Sequence, residues 1–371
     1  MHIVYFFTYG YSLKSWHSAG ILKRELAVFE KMTTDHNLKF TLVTYGDIQD
    51  LEYVTNKNIQ VIPIYSFIKR SEHKLMDFLK SFTLSKTLRQ KLKNVDIVKQ
   101  NQLLGSWTSI LFKISIKKPL YVRTGYDMFK FSIDERKFFL KVIAYYFLTL
   151  FTLFFSDFYS VTSKCDKAFL EKYIPFIRHK IVIRPNWVKS KNNDLFDSRI
   201  SNKLISVGRL ESQKNYPLLI RSLKNTKLSL DLVGEGSLKN ELKSLAKKEG
   251  VKTNFLGIVE NTELTNLYSK YKYFVSTSSY EGNPKAILEA MAAGCIVIAK
   301  SIPNNIEIID NLENGILFKD ESELINILNN LTNIENQKNI SSNAINQINK
   351  NNSLKMLSNN LFDDFKLLNN I

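Results

Sequence analysis

At 371 residues, with 44% hydrophobic and 23% charged residues, the chain is long enough for two domains of ordinary size and is not intrinsically disordered. Its formal net charge of +17 is unevenly placed: residues 1–200 hold 32 Lys and Arg against 17 Asp and Glu, a net of +15, while residues 201–371 hold 20 against 18, a net of +2. The basic half should face something anionic, and without a zinc-finger, basic-zipper or RNA-binding aromatic motif that partner is expected to be an anionic membrane surface, with no nucleic acid involved.

Met1 leads straight into an apolar run, Ile3 to Tyr9, of the kind that makes a central parallel strand, and no signal-peptide pattern precedes it. A cytoplasmic start is therefore expected. The run continues into a Gly-bearing loop (GYSLKSWHSAG), a helix pattern (ILKRELAVFEKM) and a second strand at Phe40 to Thr44, which together read as a βαβ unit. Gly20 at the helix start would admit a phosphate close to the backbone, and His17 beside it could reach a donor phosphate or an acceptor, or be an ordinary loop histidine. Val61 to Tyr65 reads as a further strand. Residues 66–94 then form a basic, partly amphipathic segment, suited either to lying on an anionic bilayer or to covering the domain core with a solvated face.

Asp96 to Lys99 and Pro119 to Val122 read as later strands. Loops at the C-terminal ends of parallel strands line binding crevices, which makes Arg123, Tyr126 and Asp127 acceptor-side candidates. The most apolar stretch is Phe138 to Phe155, but its uninterrupted part, Val142 to Phe155, has 14 residues against the ~20 needed to cross a bilayer. It is read as a helix packed in the domain in preference to an interfacial helix, and a true span is the weakest of the three readings.

Ile181 to Asn186 (IVIRPN) ends a strand with Pro and Asn, and the aperiodic polar stretch after it marks the best domain boundary, dividing the chain into 1–185 and 186–353. The second domain opens with Leu204 to Gly208, then Arg209 and Lys214 five residues apart before a helix from Pro217. Such a pair can grip a diphosphate, the arginine by its planar fork and the lysine as a point charge. Leu230 to Val233 with Gly234, Glu235 and Gly236 gives a second strand and Gly turn, and Phe255 to Val259 another strand. Tyr273 to Thr277 reads as a short buried strand, followed by a polar loop containing Glu281, Gly282 and Asn283. A helix should then start at Pro284 and end before a left-handed Gly294. Glu289 lies inside that helix among apolar neighbours, and a buried glutamate calls for a partner, for which a pair of ligand hydroxyls would serve. Cys165 and Cys295 lack metal-ligand spacing, Cys295 reads as a reduced core thiol, and no metal site is expected. Residues 331–353 are Asn-rich and read as a solvated helix or loop. Leu354 to Leu368 is amphipathic.

The stretch EGNPKAILEAMAAG, with two glutamates eight apart, resembles the signature of the retaining glycosyltransferases of family 4, and GRLESQKN resembles that family's G-R-L-x-x-x-K-N segment. The resemblance implies an α/β chain of GT-B fold, two Rossmann-like doubly wound domains facing across a cleft. It further implies that the helix from 354 to 371 returns to the first domain. The donor, a nucleoside diphosphate sugar, would be held by Gly20, Gly208, Arg209, Lys214, Gly234, Ile258, Glu281, Gly282, Asn283, Pro284 and Glu289, with Leu264 a second candidate beside the base. Glu281 would contact the sugar and Glu289 the ribose, with Glu281, Arg209 and Lys214 as the catalytic set and no cofactor or metal. The chain departs from the family where a His usually follows the strand at Pro119 to Val122, where only Gly20 of a Gly-Gly pair is present, and where Pro303 and Asn304 replace two glycines before Glu307. The implied activity is transfer of a sugar, with retention, to a saccharide or polyprenyl-lipid-linked acceptor in cell-surface polysaccharide synthesis, at the inner face of the cytoplasmic membrane. Two alternatives stay open: a non-catalytic nucleotide-sugar-binding subunit that anchors a partner at the membrane, and a sugar-nucleotide 2-epimerase of the same fold.

Overall fold

The computed structural model describes residues 1–125, 127–190 and 196–370. They form two compact units, Met1–Arg184 together with the segment from Leu357 onward, and Pro185–Met356.

The first unit runs β1 (His2–Phe6), α1 (Leu13–Ser18), α2 (Leu22–His36), β2 (Lys39–Thr44), β3 (Ile59–Pro63), α3 (Lys74–Ser81), α4 (Leu84–Lys91), β4 (Ile97–Asn101), α5 (Ser106–Ile116) and β5 (Leu120–Arg123). It continues with α6 (Met128–Asp134), α7 (Phe139–Phe155), β6 (Phe158–Val161), α8 (Lys164–Tyr173) and β7 (Ile181–Ile183). All seven strands are parallel, in the order β3-β2-β1-β4-β5-β6-β7. Both faces of the sheet are covered, which is why its strands are apolar runs and not alternating ones. On one face Leu84 and Leu88 of α4, Ile110 and Phe112 of α5, Leu153 of α7 and Leu170 of α8 join a single buried cluster. On the other face Phe29 of α2 meets Tyr5 and Phe40 edge to face.

The basic segment 66–94 is not one amphipathic helix. It breaks at Phe82 and Thr83 into α3 and α4, and α4 buries Leu84 and Leu88 while α3 leaves Leu75, Met76 and Leu79 exposed. The apolar stretch at Phe138 to Phe155 is the 17-residue helix α7. Among the described residues no helix is long and apolar enough to cross a membrane.

The second unit comprises β8 (Ile200–Val207), α9 (Tyr216–Ser222), β9 (Ser229–Val233), α10 (Lys239–Glu249), β10 (Thr253–Gly257), α11 (Asn261–Tyr268), β11 (Tyr271–Ser276) and α12 (Lys285–Ala292). β12 (Ile296–Lys300), α13 (Pro303–Ile306), β13 (Ile316–Phe318), α14 (Glu321–Asn329) and α15 (Gln337–Asn351) follow, and α16 (Leu354–Asn369) ends the described chain. Its six parallel strands take the order β10-β9-β8-β11-β12-β13. Leu204 and Ile205, adjacent in β8, fall into two different buried clusters, one on each side of the sheet.

One expectation holds only in part: the Asn-rich segment forms a helix. It is not simply solvated: α15 buries Ile340, Ser341, Ala344 and Ile348, and Ser341 Oγ donates to the Gly294 carbonyl at 2.7 Å. The spacing of 340, 344 and 348 puts one apolar edge on the helix, and this edge packs against α12. Cys295 is a core thiol as expected, its Sγ 3.2 Å from the Tyr268 carbonyl, and burial pushes its pKa up to about 12.

Candidate active site

In the second unit β8 and β11 are neighbours, so the loops leaving their C-terminal ends lie side by side. Hydrogen bonds tie them together. Thr277 Oγ1 donates to the carbonyls of Lys214 and Asn215 at 2.9 and 3.0 Å, the Ser279 amide donates to the Gln213 carbonyl at 2.9 Å, and Gln213 Nε2 donates to the Tyr280 carbonyl at 2.9 Å. The result is that Lys214 Nζ meets Glu281 Oε1 at 2.5 Å. Both side chains are mostly buried, at 17% and 8% exposure, so the pair is a fixed charge arrangement and not a loose surface ion pair. Arg209, at the start of the loop that ends with Lys214, is exposed.

Glycines set how closely the loops approach. Gly234 has φ +136°, and a Cβ there would sit 2.0 Å from the Gly208 carbonyl oxygen. Gly208 has φ +158°, and a Cβ there would lie 2.8 Å from Lys214 Cε and 3.0 Å from the Tyr216 hydroxyl. That hydroxyl is buried without a hydrogen-bond partner among the described residues. Thus the backbone after β9 packs on the backbone after β8, and the backbone after β8 packs on the Lys214 stem.

Helix α12 starts one residue later than expected. Pro284 is its cap in extended conformation, with no side-chain hydrogen bond to the first turn. Its N-terminus is the positive end of the helix, where an anionic ligand group is favoured. Asn283 just before it is held by Asn186, whose amide donates to Asn283 Oδ1 and whose Nδ2 donates to the Asn283 carbonyl, both at 2.9 Å. Gly294 takes φ +77° just past the helix, as expected. Glu289 is half-buried, and Asn261 Nδ2 donates to its Oε1 at 2.9 Å. Sequence reasoning missed Gln213, Asn186 and Asn261, because a neutral amide that positions another group leaves no spacing signal. Of the two residues expected beside a nucleobase, Ile258 is exposed, but Leu264 is buried in the core with Tyr268 and Phe274 and is withdrawn from the site.

Residues 190–350 match the family model described as Glycosyl transferases group 1. That stretch, which makes up most of the second unit, is similar to the group 1 glycosyltransferases. A Campylobacter jejuni relative, named as an alpha-1,4-N-acetyl-D-galactosaminyltransferase acting on GalNAc-alpha-(1->4)-GalNAc-alpha-(1->3)-diNAcBac-PP-undecaprenol, is 28% identical over 262 residues, or 68% of each chain. Among solved structures, sucrose-phosphate synthase from Thermosynechococcus elongatus superposes with a TM-score of 0.81 at 14% identity, covering 99% of both chains. HepE of Anabaena in complex with UDP gives 0.75 at 15% identity, covering 99% of this chain and 100% of that one. At such identities these two show the fold alone, which is GT-B.

The acceptor-side candidates of the first unit fare unevenly. Tyr126 lies outside the described residues. Asp127 is 4% exposed and caps α6, its Oδ1 accepting the Lys130 amide at 2.9 Å. Burial, reinforced by Asp166, raises its pKa to about 6 against the pull of that amide and of Lys130. As placed, one of its oxygens caps the helix. Arg123 donates to the Arg184 carbonyl at 3.1 Å and so braces its own sheet. His17 is exposed on α1, its ring centroid 5.2 Å from that of Tyr53. Gly20, with φ +69°, makes the turn between α1 and α2, its amide bonded to the His17 carbonyl. The loop after β1 is thus largely helix α1, held by buried Asp50, which accepts the Leu13 and Lys14 amides at 3.1 and 3.0 Å.

Proposed function

We propose that this enzyme transfers a sugar with retention from a nucleoside diphosphate sugar to a saccharide on a lipid carrier, in the synthesis of a cell-surface glycan. The observation that carries the reading is the Lys214–Glu281 pair, set beside exposed Arg209 and an α12 N-terminus without a side-chain cap. Arg209, Lys214 and the first amides of α12 would take up charge on the departing diphosphate, and donors fixed before the reaction starts lower its barrier most effectively. Glu281, accepting from Lys214 on one oxygen, would orient a donor-sugar hydroxyl. Glu289, oriented by Asn261, would hold the ribose. In this reading no metal is required, because protein cations and amides supply the positive charge. The lipid-linked acceptor is supported by the undecaprenol in the name of the Campylobacter relative and by the basic first unit, and the place of action would be the inner face of the cytoplasmic membrane.

The test is thermal denaturation with UDP, GDP, ADP and their common sugar conjugates, followed by turnover with lipid-linked acceptors. A nucleotide that binds only the folded chain at a hundredfold its Kd adds about 2.7 kcal/mol of stability. One nucleotide family is expected to raise the midpoint, and Arg209→Ala, an exposed position, to abolish the rise without lowering the ligand-free midpoint. Turnover in Arg209→Ala should fall about 10²–10³-fold. No nucleotide shift would sink the donor site. The second reading, a non-catalytic subunit, is favoured by one observation: Asp127 and Arg123 are engaged within their own unit and no histidine follows β5. A nucleotide shift without turnover on any acceptor would establish it.

A further inference from the structure

Helix α7 is apolar on its outer side as well as its inner one. A helix on a soluble surface turns hydroxyls to water and rings to the core. Here Thr149 and Thr152 are fully buried, Thr152 Oγ1 lying 2.8 Å from Ser106 Oγ and donating to its own Leu148 carbonyl at 2.7 Å. The outer side carries Leu140 at 61% exposure, Ala144, Phe147 at 59%, Phe151 at 42% and Phe154 at 64%. Steps of four, three, four and three residues place them in one stripe along the helix. The stripe extends sideways. Lys180 Nζ donates to the carbonyls of Phe154 and Ser156 at 2.9 and 2.8 Å, fastening the turn at residues 175–180 to the end of α7, and Phe176 in that turn is 67% exposed.

The surroundings are basic. Residues 136–180 contain eight Lys and Arg and three Asp and Glu, and each of those acids is paired: Asp157 with Lys113, Asp166 with Lys130, Glu171 with Lys167. Arg136, Lys141 and Arg178 are exposed next to the apolar stripe. Elsewhere in the same unit, α3 exposes Leu75, Met76 and Leu79 beside Lys74. A stripe of this spacing could also seat a second copy of the chain as a coiled coil. The positions flanking such a seam usually carry charges of both signs, however, and here Lys141 is the one charge among them, with Ile143 and Leu148 half-buried and Leu150 and Phe155 packed on the domain core. The exposed apolar face, which Phe138, Phe139 and Phe176 continue beyond the stripe, is rimmed by cations, which is the pattern of a helix lying in a bilayer interface.

We propose that α7 and the adjoining 175–180 turn are a docking face for an anionic bilayer, with Phe147, Phe151, Phe154 and Phe176 entering the headgroup and acyl boundary and Arg136, Lys141 and Arg178 meeting lipid phosphates. The assignment deepens the proposed function and rests on its lipid-borne acceptor for its purpose. It gives α7 a place on the membrane without crossing it, which its 17 residues do not allow.

The experiment is flotation of the full chain with vesicles of phosphatidylcholine alone or with a third phosphatidylglycerol, at low and high salt. Expected is binding to the anionic vesicles at least tenfold tighter than to neutral ones and weakened by salt. The triple variant F147S/F151S/F154S should lose at least tenfold in vesicle binding while keeping wild-type hydrogen-exchange protection in β1, β4 and β5, which verifies that the first unit folds. K141E/R178E, which leaves the stripe intact, should lose the preference for anionic lipid. Equal binding of wild type and the triple variant, or no binding of the wild type to anionic vesicles, overturns the proposal. Dimerisation of the wild type in sedimentation, lost in the triple variant and unaccompanied by vesicle binding, also overturns it and assigns the face to a second copy. Vesicle binding without turnover of any lipid-linked acceptor would uphold the docking face and defeat the functional reading separately.

Discussion

Lys99 carries its ammonium into the interior of the first sheet, 4.3 Å from the centroid of the Tyr121 ring and 5.7 Å from that of Tyr5, with no hydrogen-bond partner on Nζ among the described residues. Burial holds its pKa well below the usual lysine range, neighbouring Arg123 adds to this, and Asp364 opposes it. A group with a depressed basic pKa binds fewer protons folded than unfolded, so its contribution to stability improves as pH rises towards the unfolded value near 10.4. Lys99→Met keeps the volume and removes the desolvation penalty. It is expected to raise stability at pH 7 by about 1–3 kcal/mol, with an advantage over the wild type that shrinks as pH rises from 7 to 9. Denaturant titrations across that range would show parallel curves if the lysine were not responsible.

The two glycine-bearing loops of the second unit show what an element tolerates. At Gly234 the backbone is left-handed and an added Cβ would press on the Gly208 carbonyl, a rigid neighbour, whereas at Gly250, φ +68°, the space within 4 Å is open. Gly234→Ala should cost about 3 kcal/mol or more and abolish nucleotide binding, because it separates the loops that place Lys214. Gly250→Ala should cost only about 1 kcal/mol, from backbone strain, and bind nucleotide normally. Equal losses in stability and binding would argue against the close packing.

The same elements mark how far sequence reasoning reached. Strands appeared as apolar runs because both sheet faces are covered, and Arg209, Lys214, Glu281 and Glu289 appeared because charges before or within apolar helices need partners. What stayed hidden depends on tertiary neighbours. Asp127 looked exposed after β5 but is buried and gives one oxygen to capping α6, Leu264 looked like a base contact but points to the core, and polar composition concealed the buried edge of α15. The stripe on α7 was present in the spacing, but only the fold reveals which side faces out.

At the scale of the molecule, the first unit is completed by residues that come last in sequence. Asp364, 1% exposed, accepts from Arg184 Nε at 2.8 Å and from the Tyr121 hydroxyl at 3.0 Å, and also pairs with Arg184 Nη2. Phe365 meets Tyr121 edge to face with centroids 5.7 Å apart, and Phe362 stacks on His36 at 4.0 Å. Removing the segment from residue 357 onward would expose the apolar surface now covered by Leu361, Phe365 and Leu368 and leave half-buried Arg184 without its carboxylate. Losing one partner of such a pair is more damaging than losing both, by about 3 kcal/mol or more. The truncated chain is therefore expected to unfold its N-terminal unit, despite the distance along the chain, while the unit from 185 to 356 keeps a cooperative melt that still rises with nucleotide. Hydrogen exchange measured by mass spectrometry distinguishes the outcomes, since protection should vanish in β1, β4 and β5 and persist in β8, β9 and β11. Loss of protection in both units together would mean that the chain folds as one cooperative body, and the terminal helix would then stabilise the whole of it.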